Sequence, residues 1–173
     1  MTAPPGNAPG PTPAADAGAP AQVHAPSRVD TLVVGQDGSS LSGTALAGLA
    51  PLAERLGATL HVVSTVPRAL DVDVRHAEVA AAADRWCRGL DVRHTVVAAP
   101  DPVAALHEMA DRAGAVVCIG SHGAGCSACA VGSVAGDALA RARHPLVVAS
   151  VLADARVGQG VVACVDGGPS SAA

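Results

Sequence analysis

The sequence predicts an α/β protein, an open parallel sheet with helices on both faces. Three observations carry this. From Val29 onward, short apolar, β-branched runs alternate with segments whose apolar residues recur at helical spacing. The short runs are apolar throughout rather than on every second residue, the mark of strands covered on both sides. Two of the strand ends run into glycine and small polar residues, where open parallel sheets bind ligands.

The elements follow in order. Val29–Gly35 (VDTLVVG) is the first strand and ends at Gln36-Asp37-Gly38. Ser42–Leu56 is a helix, with Leu46, Leu49, Ala53 and Leu56 on one stripe, Ser42 as N-cap and Gly57 as its stop. Pro51 falls inside it, where proline kinks or restarts a helix. Thr59–Val66 is the second strand, and the alanine-rich stretch His76–Leu90 the second helix. Val92–Ala98, Pro102–Ala113 and Ala115–Gly120 continue as strand, helix and strand. A glycine-rich loop then leads into a helix over Ser133–Arg143, and Pro145–Val151 is the fifth strand.

Composition narrows the chemistry. Among 173 residues there is no lysine, no tyrosine and no phenylalanine, and Trp86 is the single tryptophan. Without lysine there is no GxxxxGK[ST] phosphate loop, no Schiff-base lysine and no S-x-x-K nucleophile. Without aromatics there is no stacking platform for single-stranded nucleic acid. The net charge of −4 offers no basic patch, so nucleic acid is not an expected partner. No apolar run approaches the ~18 residues of a membrane span.

Residues 1–27 hold seven of the 13 prolines and few large apolar groups, and read as a disordered tail. They lack the charged start and apolar stretch of a signal peptide, which points to a cytoplasmic protein. The five cysteines, an odd number, argue against a disulfide framework. Cys118 and Cys164 lie in apolar runs and read as inert core residues.

The loop from Gly120 to Val134 (GSHGAGCSACAVGSV) leaves a strand and enters a helix. Its glycines permit close backbone approach, and helix-start N–H groups favour an anion, with Ser133 adding a hydroxyl and His122 a ring donor. This is a phosphate cradle without lysine. Other readings stay open. Gly123-x-Gly125-x-x-Ala128 fits the dinucleotide fingerprint in form, but that motif needs an acidic residue about 20 positions on, and Arg141–His144 occupies the region. Ser121 sits one glycine short of a nucleophile elbow. Cys126 and Cys129, with His122 nearby, form half of a metal site or a redox pair. The loop is otherwise a connector that binds nothing, and Asp37-Gly38 an ordinary turn.

Three stretches, VVGQDGSSLSGTAL, GATLHVVSTVP and GSHG-x8-GSV with HPLVV, resemble the universal stress protein family between Leu32 and Val148. The resemblance implies a five-stranded parallel sheet of order 3-2-1-4-5 and a homodimer. It also implies ATP binding, with or without Mg2+, by a G-x2-G-x9-G-[ST] loop, and at most weak hydrolysis. Carried over, the phosphate residues are Gly120, Gly123, Gly132, Ser133 and Val134, with Asp37 beside the adenosine; Ser121 and His122 of the same loop complete the expected cofactor-binding set. Thr65 takes the place of an adenine-contacting valine. The sequence departs from the pattern in two further places. Eight residues, not nine, separate Gly123 from Gly132, and Ala115 stands where an acidic residue is common.

After a polar linker, Val161–Ser171 (VVACVDGGPSS) matches Leu32–Ser42 in register, aspartate on aspartate and glycine on glycine. The expected organisation is therefore a tail over 1–27, one domain over 28–151, and over 152–173 a linker with the first strand of a tandem copy. In function the sequence reads as a non-catalytic adenine-nucleotide binder of the stress response. Its alternatives are an interaction module of the same fold that binds no nucleotide, and a Cys126/Cys129 redox or metal element.

Overall fold

A computed structural model describes residues 28–121 and 131–149. Five parallel strands, β1 (Thr31–Gly35), β2 (Thr59–Val66), β3 (Val92–Ala98), β4 (Val116–Gly120) and β5 (Leu146–Ala149), form one sheet of order β3-β2-β1-β4-β5. Four helices connect them: α1 (Ser40–Leu56), α2 (Val72–Trp86), α3 (Pro102–Ala113) and α4 (Ser133–Ala140). This is the predicted sheet, in the predicted order. The N-terminal tail, the Cys126/Cys129 pair and the Val161–Val165 segment of the repeat lie outside the described residues.

The period-2 geometry of a strand sorts the core into two layers. Leu32 and Val34 of β1, Leu60 and Val62 of β2, and Cys118 of β4 pack with Leu46, Leu49 and Ala53 of α1 and Val79 of α2. Their neighbours Val33, Val63, Val117 and Ile119 pack on the opposite face with Val103, Leu106 and Ala110 of α3 and Ala135 and Ala138 of α4. Each central strand is thus apolar on both sides, which is why its sequence does not alternate. Small residues line both helix–sheet contacts, so the elements pack closely without aromatic filling.

Local chemistry fixes the boundaries. α1 begins two residues before the expected Ser42, because the Ser39 hydroxyl accepts from Ser42 N at 3.1 Å and is the N-cap. Ser42 is drawn into the cap instead, its own hydroxyl donating to Ser39 O at 2.9 Å. α1 runs unbroken through Pro51, which lies on the exposed side of the helix. It stops at Gly57, whose φ of 63° places it in the left-handed region. α2 starts at Val72, four residues before the expected His76, because a 3-10 turn over Ala69–Asp71 feeds directly into it. α3 has Asp101 as N-cap, accepting from Ala104 N at 3.0 Å, with Pro102 in its first turn. α4 ends at Ala140, short of the expected Arg143: Arg141 turns to pair with Asp101 and Asp137, and the residue preceding Pro145 disfavours helix.

Candidate functional site

β1 is the strand at which the connection order reverses: β2 and β3 lie to one side of it, β4 and β5 to the other. Ligands of open parallel sheets bind at the carboxyl ends of the strands flanking such a point. β1 and β4 are direct neighbours with Val34 opposite Cys118, so the Gln36–Ser39 turn and the Gly120–Ser121 segment leave the sheet side by side.

The turn after β1 is tightly held. Gln36, 6% exposed, donates its backbone N–H to Val63 O at 2.9 Å, and its side-chain oxygen accepts from Gly38 N at 2.8 Å. Asp37 is exposed, and its Oδ1 accepts from Ser39 N at 2.9 Å. Gly38 has a φ of 84°, a conformation that non-glycine residues rarely adopt. From α2, Arg75 donates to Asp37 O at 3.0 Å and pairs with Glu78 at 2.9 Å. Gln36 and Arg75 were not among the residues that the sequence pattern singled out. Gln36 had one legible signal, its place between strand and turn; Arg75, 38 positions from Asp37, had none.

On the other side, Gly120 ends β4 opposite Ala149, and Ser121 donates its N–H to Ala149 O at 2.8 Å. Ser121 is buried, and its carbonyl accepts from Gly132 N at 2.7 Å. That bond closes the glycine loop and sets Gly132 as the N-cap of α4, with Gly136 N donating to Gly132 O at 2.8 Å. The Gly132 N–H is therefore spent on the loop's own closure. The N–H groups of Ser133 and Val134 stand in the first turn of α4, where a helix has no internal acceptors. Both residues are exposed. Thr65, half-buried, stands two residues beyond Val63 on β2, on the same side of that strand.

The structure thus gathers Asp37, Thr65, Gly120, Ser121, Gly132, Ser133 and Val134 at the carboxyl end of the sheet. His122 and Gly123 lie outside the described residues. Among the described residues no three His, Cys, Asp or Glu side chains stand close enough to hold a metal ion. No helix among them is long and apolar enough to cross a membrane.

Cys87 and Cys118 are buried free thiols, and burial pushes them up to about 11 and about 12. Cys118 is the inert core residue that its apolar run predicts.

A parallel sheet whose switch point carries a small polar turn on one side and the start of a helix on the other defines an open α/β domain of the kind that takes its ligands at the carboxyl ends of its strands. Within that class the chain belongs to the universal stress protein family, whose model matches residues 28–150. Proteins of this family are in general non-catalytic, nucleotide-binding stress proteins. Among solved structures, a universal stress protein in complex with cAMP is 28% identical, with a TM-score of 0.59 over 72% of this chain and 99% of that one. A protein of the family from Burkholderia pseudomallei is 25% identical, with a TM-score of 0.56 over 71% of this chain and 97% of that one. The universal stress protein from Archaeoglobus fulgidus in complex with dAMP shares the fold at 19% identity, with a TM-score of 0.57 over 70% of this chain and 97% of that one. No curated protein matches the chain.

Proposed function

We propose that this chain is a cytoplasmic, non-catalytic stress protein that binds an adenine nucleotide, ATP with or without Mg2+, at the switch point of its sheet. The observation that carries this reading is the bond from Gly132 N to Ser121 O, which brings the start of α4 back against the end of β4 beside the Asp37 turn. In this reading the N–H groups of Ser133 and Val134, with the Ser133 hydroxyl, hold phosphate oxygens. Gly120 and Gly123 let the backbone approach, and His122 adds a donor. Asp37 accepts from the ribose, and Thr65 lies against the adenine. The complex of a 28% identical relative with cAMP supports an adenine nucleotide as the ligand class. The Gly132 N–H is bonded to Ser121 O, so in this reading Gly132 serves the site through that closure and not as a donor to the phosphate.

The test is calorimetric titration with ATP in the presence and absence of Mg2+. Saturable heat at one site and a raised melting temperature are expected. No heat and no thermal shift at millimolar nucleotide would overturn the reading.

A homodimer is a second part of the proposal. Among the described residues β5 is an edge strand, and Val134 and Leu139 of the neighbouring α4 are 42% and 53% exposed. Light scattering is expected to give twice the chain mass, and Leu139→Glu to return it to one.

A further inference from the structure

The Asp37–Gly38 peptide is gripped at both ends. Its carbonyl oxygen accepts from Arg75 Nη1 at 3.0 Å, and its N–H donates to Gln36 Oε1 at 2.8 Å. A peptide plane in a turn has two orientations that differ by a flip, and the flip reverses where its N–H and C=O point. With one end held from the tip of β1 and the other from α2, the flip requires breaking both bonds.

The neighbourhood is built for this grip. Arg75 pairs with Glu78 one turn along α2, at 2.9 Å, which limits the directions its guanidinium can take. Its Nη1 lies only 1.7 Å from where a β-carbon on Gly38 would stand. The positive φ is what demands glycine at 38, and a β-carbon there would also push the Arg75 guanidinium off the turn.

We propose that Arg75 is a positioning residue of the nucleotide site: it locks the Asp37–Gly38 peptide and thereby aims the Asp37 carboxylate at the nucleoside. This rests on the adenine-nucleotide reading above. Arg75 acts through the turn and not on the phosphates, so its removal weakens ligands with and without phosphate alike.

The experiment compares wild type, Arg75→Ala and Arg75→Lys for binding of ATP and of adenosine, with amide exchange at Gly38 in the unliganded proteins. Arg75→Ala is expected to weaken both ligands by the same factor, severalfold and at most about tenfold, because the hydrogen bond lost lies within the protein and reaches the ligand only through the turn. Gly38 exchange should accelerate, and Arg75→Lys should recover part of both effects. A loss confined to ATP would make Arg75 a phosphate contact and overturn the proposal, as would unchanged binding of both ligands. Wild-type protein that binds neither ligand overturns the nucleotide reading itself, and the positioning role falls with it.

Discussion

His107 offers the sharpest test of how burial shapes this fold. It lies on α3, is 3% exposed, and neither ring nitrogen has a hydrogen-bond partner among the described residues. Its ring centroid is 5.3 Å from that of His144, whose Nε2 stands 2.9 Å from Asp111. Burial first, then Arg143 and His144, hold its pKa below the ordinary 6.5, with Asp111 opposing them and Arg141 adding to the depression. The sign follows directly. Below about pH 6.5 the unfolded chain takes up a proton at this imidazole that the folded chain refuses. Stability contributed by the neutral ring is therefore complete above pH 6.5 and falls with pH, by at most ~1.4 kcal/mol per unit, until the folded ring also protonates. His61, lowered by burial and by Arg93, adds a slope of the same sign. Replacing His107 with leucine removes one of these two slopes and the cost of an imidazole without partners. The His107→Leu protein is expected to gain ~1–2 kcal/mol at pH 8, within the range for burying an unsatisfied polar group. The gap to wild type should widen from pH 6.5 to pH 5. Urea denaturation at pH 5, 6, 7 and 8 measures both effects. Parallel pH profiles for wild type and His107→Leu would refute the reasoning, because they would mean that the buried ring titrates like an exposed one.

Three further outcomes are expected. A β-carbon at Gly35 would stand 3.0 Å from Leu106 Cδ1 and 3.3 Å from Ile119 Cγ2, so Gly35→Ala overpacks the α3 face; urea unfolding should show a loss of ~1–3 kcal/mol. At Gly43 the added carbon would lie 3.1 Å from Trp86 Nε1, and Trp86 is the single tryptophan, so Gly43→Ala should shift its fluorescence emission without abolishing cooperative unfolding. Cys87 and Cys118, pushed up to about 11 and about 12 by burial, should stay silent to a thiol reagent at pH 8 and react on denaturation; peptide mapping of the labelled sites reads this.

By itself the sequence determined the element order and the two-sided burial of the sheet. Strands such as VVCIG are apolar at every position, and only a sheet covered on both faces can bury them. It also marked the two strand ends, after β1 and after β4, that the structure sets side by side at the switch point. The family pattern then gave the strand order that the structure has. Boundaries were less legible wherever a side chain chose its own partner: Ser39 rather than Ser42 caps α1, and Arg141 leaves α4 for Asp101 and Asp137. Tertiary structure alone decided that Arg75 holds the Asp37 carbonyl, that the Gly132 N–H closes the loop on Ser121, and that His107 is buried with no hydrogen-bond partner among the described residues. The physical reason is common to all three. Periodicity and turn chemistry are local and show in a short window of residues. A hydrogen bond or a burial between positions far apart in the chain exists only after the sheet has brought them together.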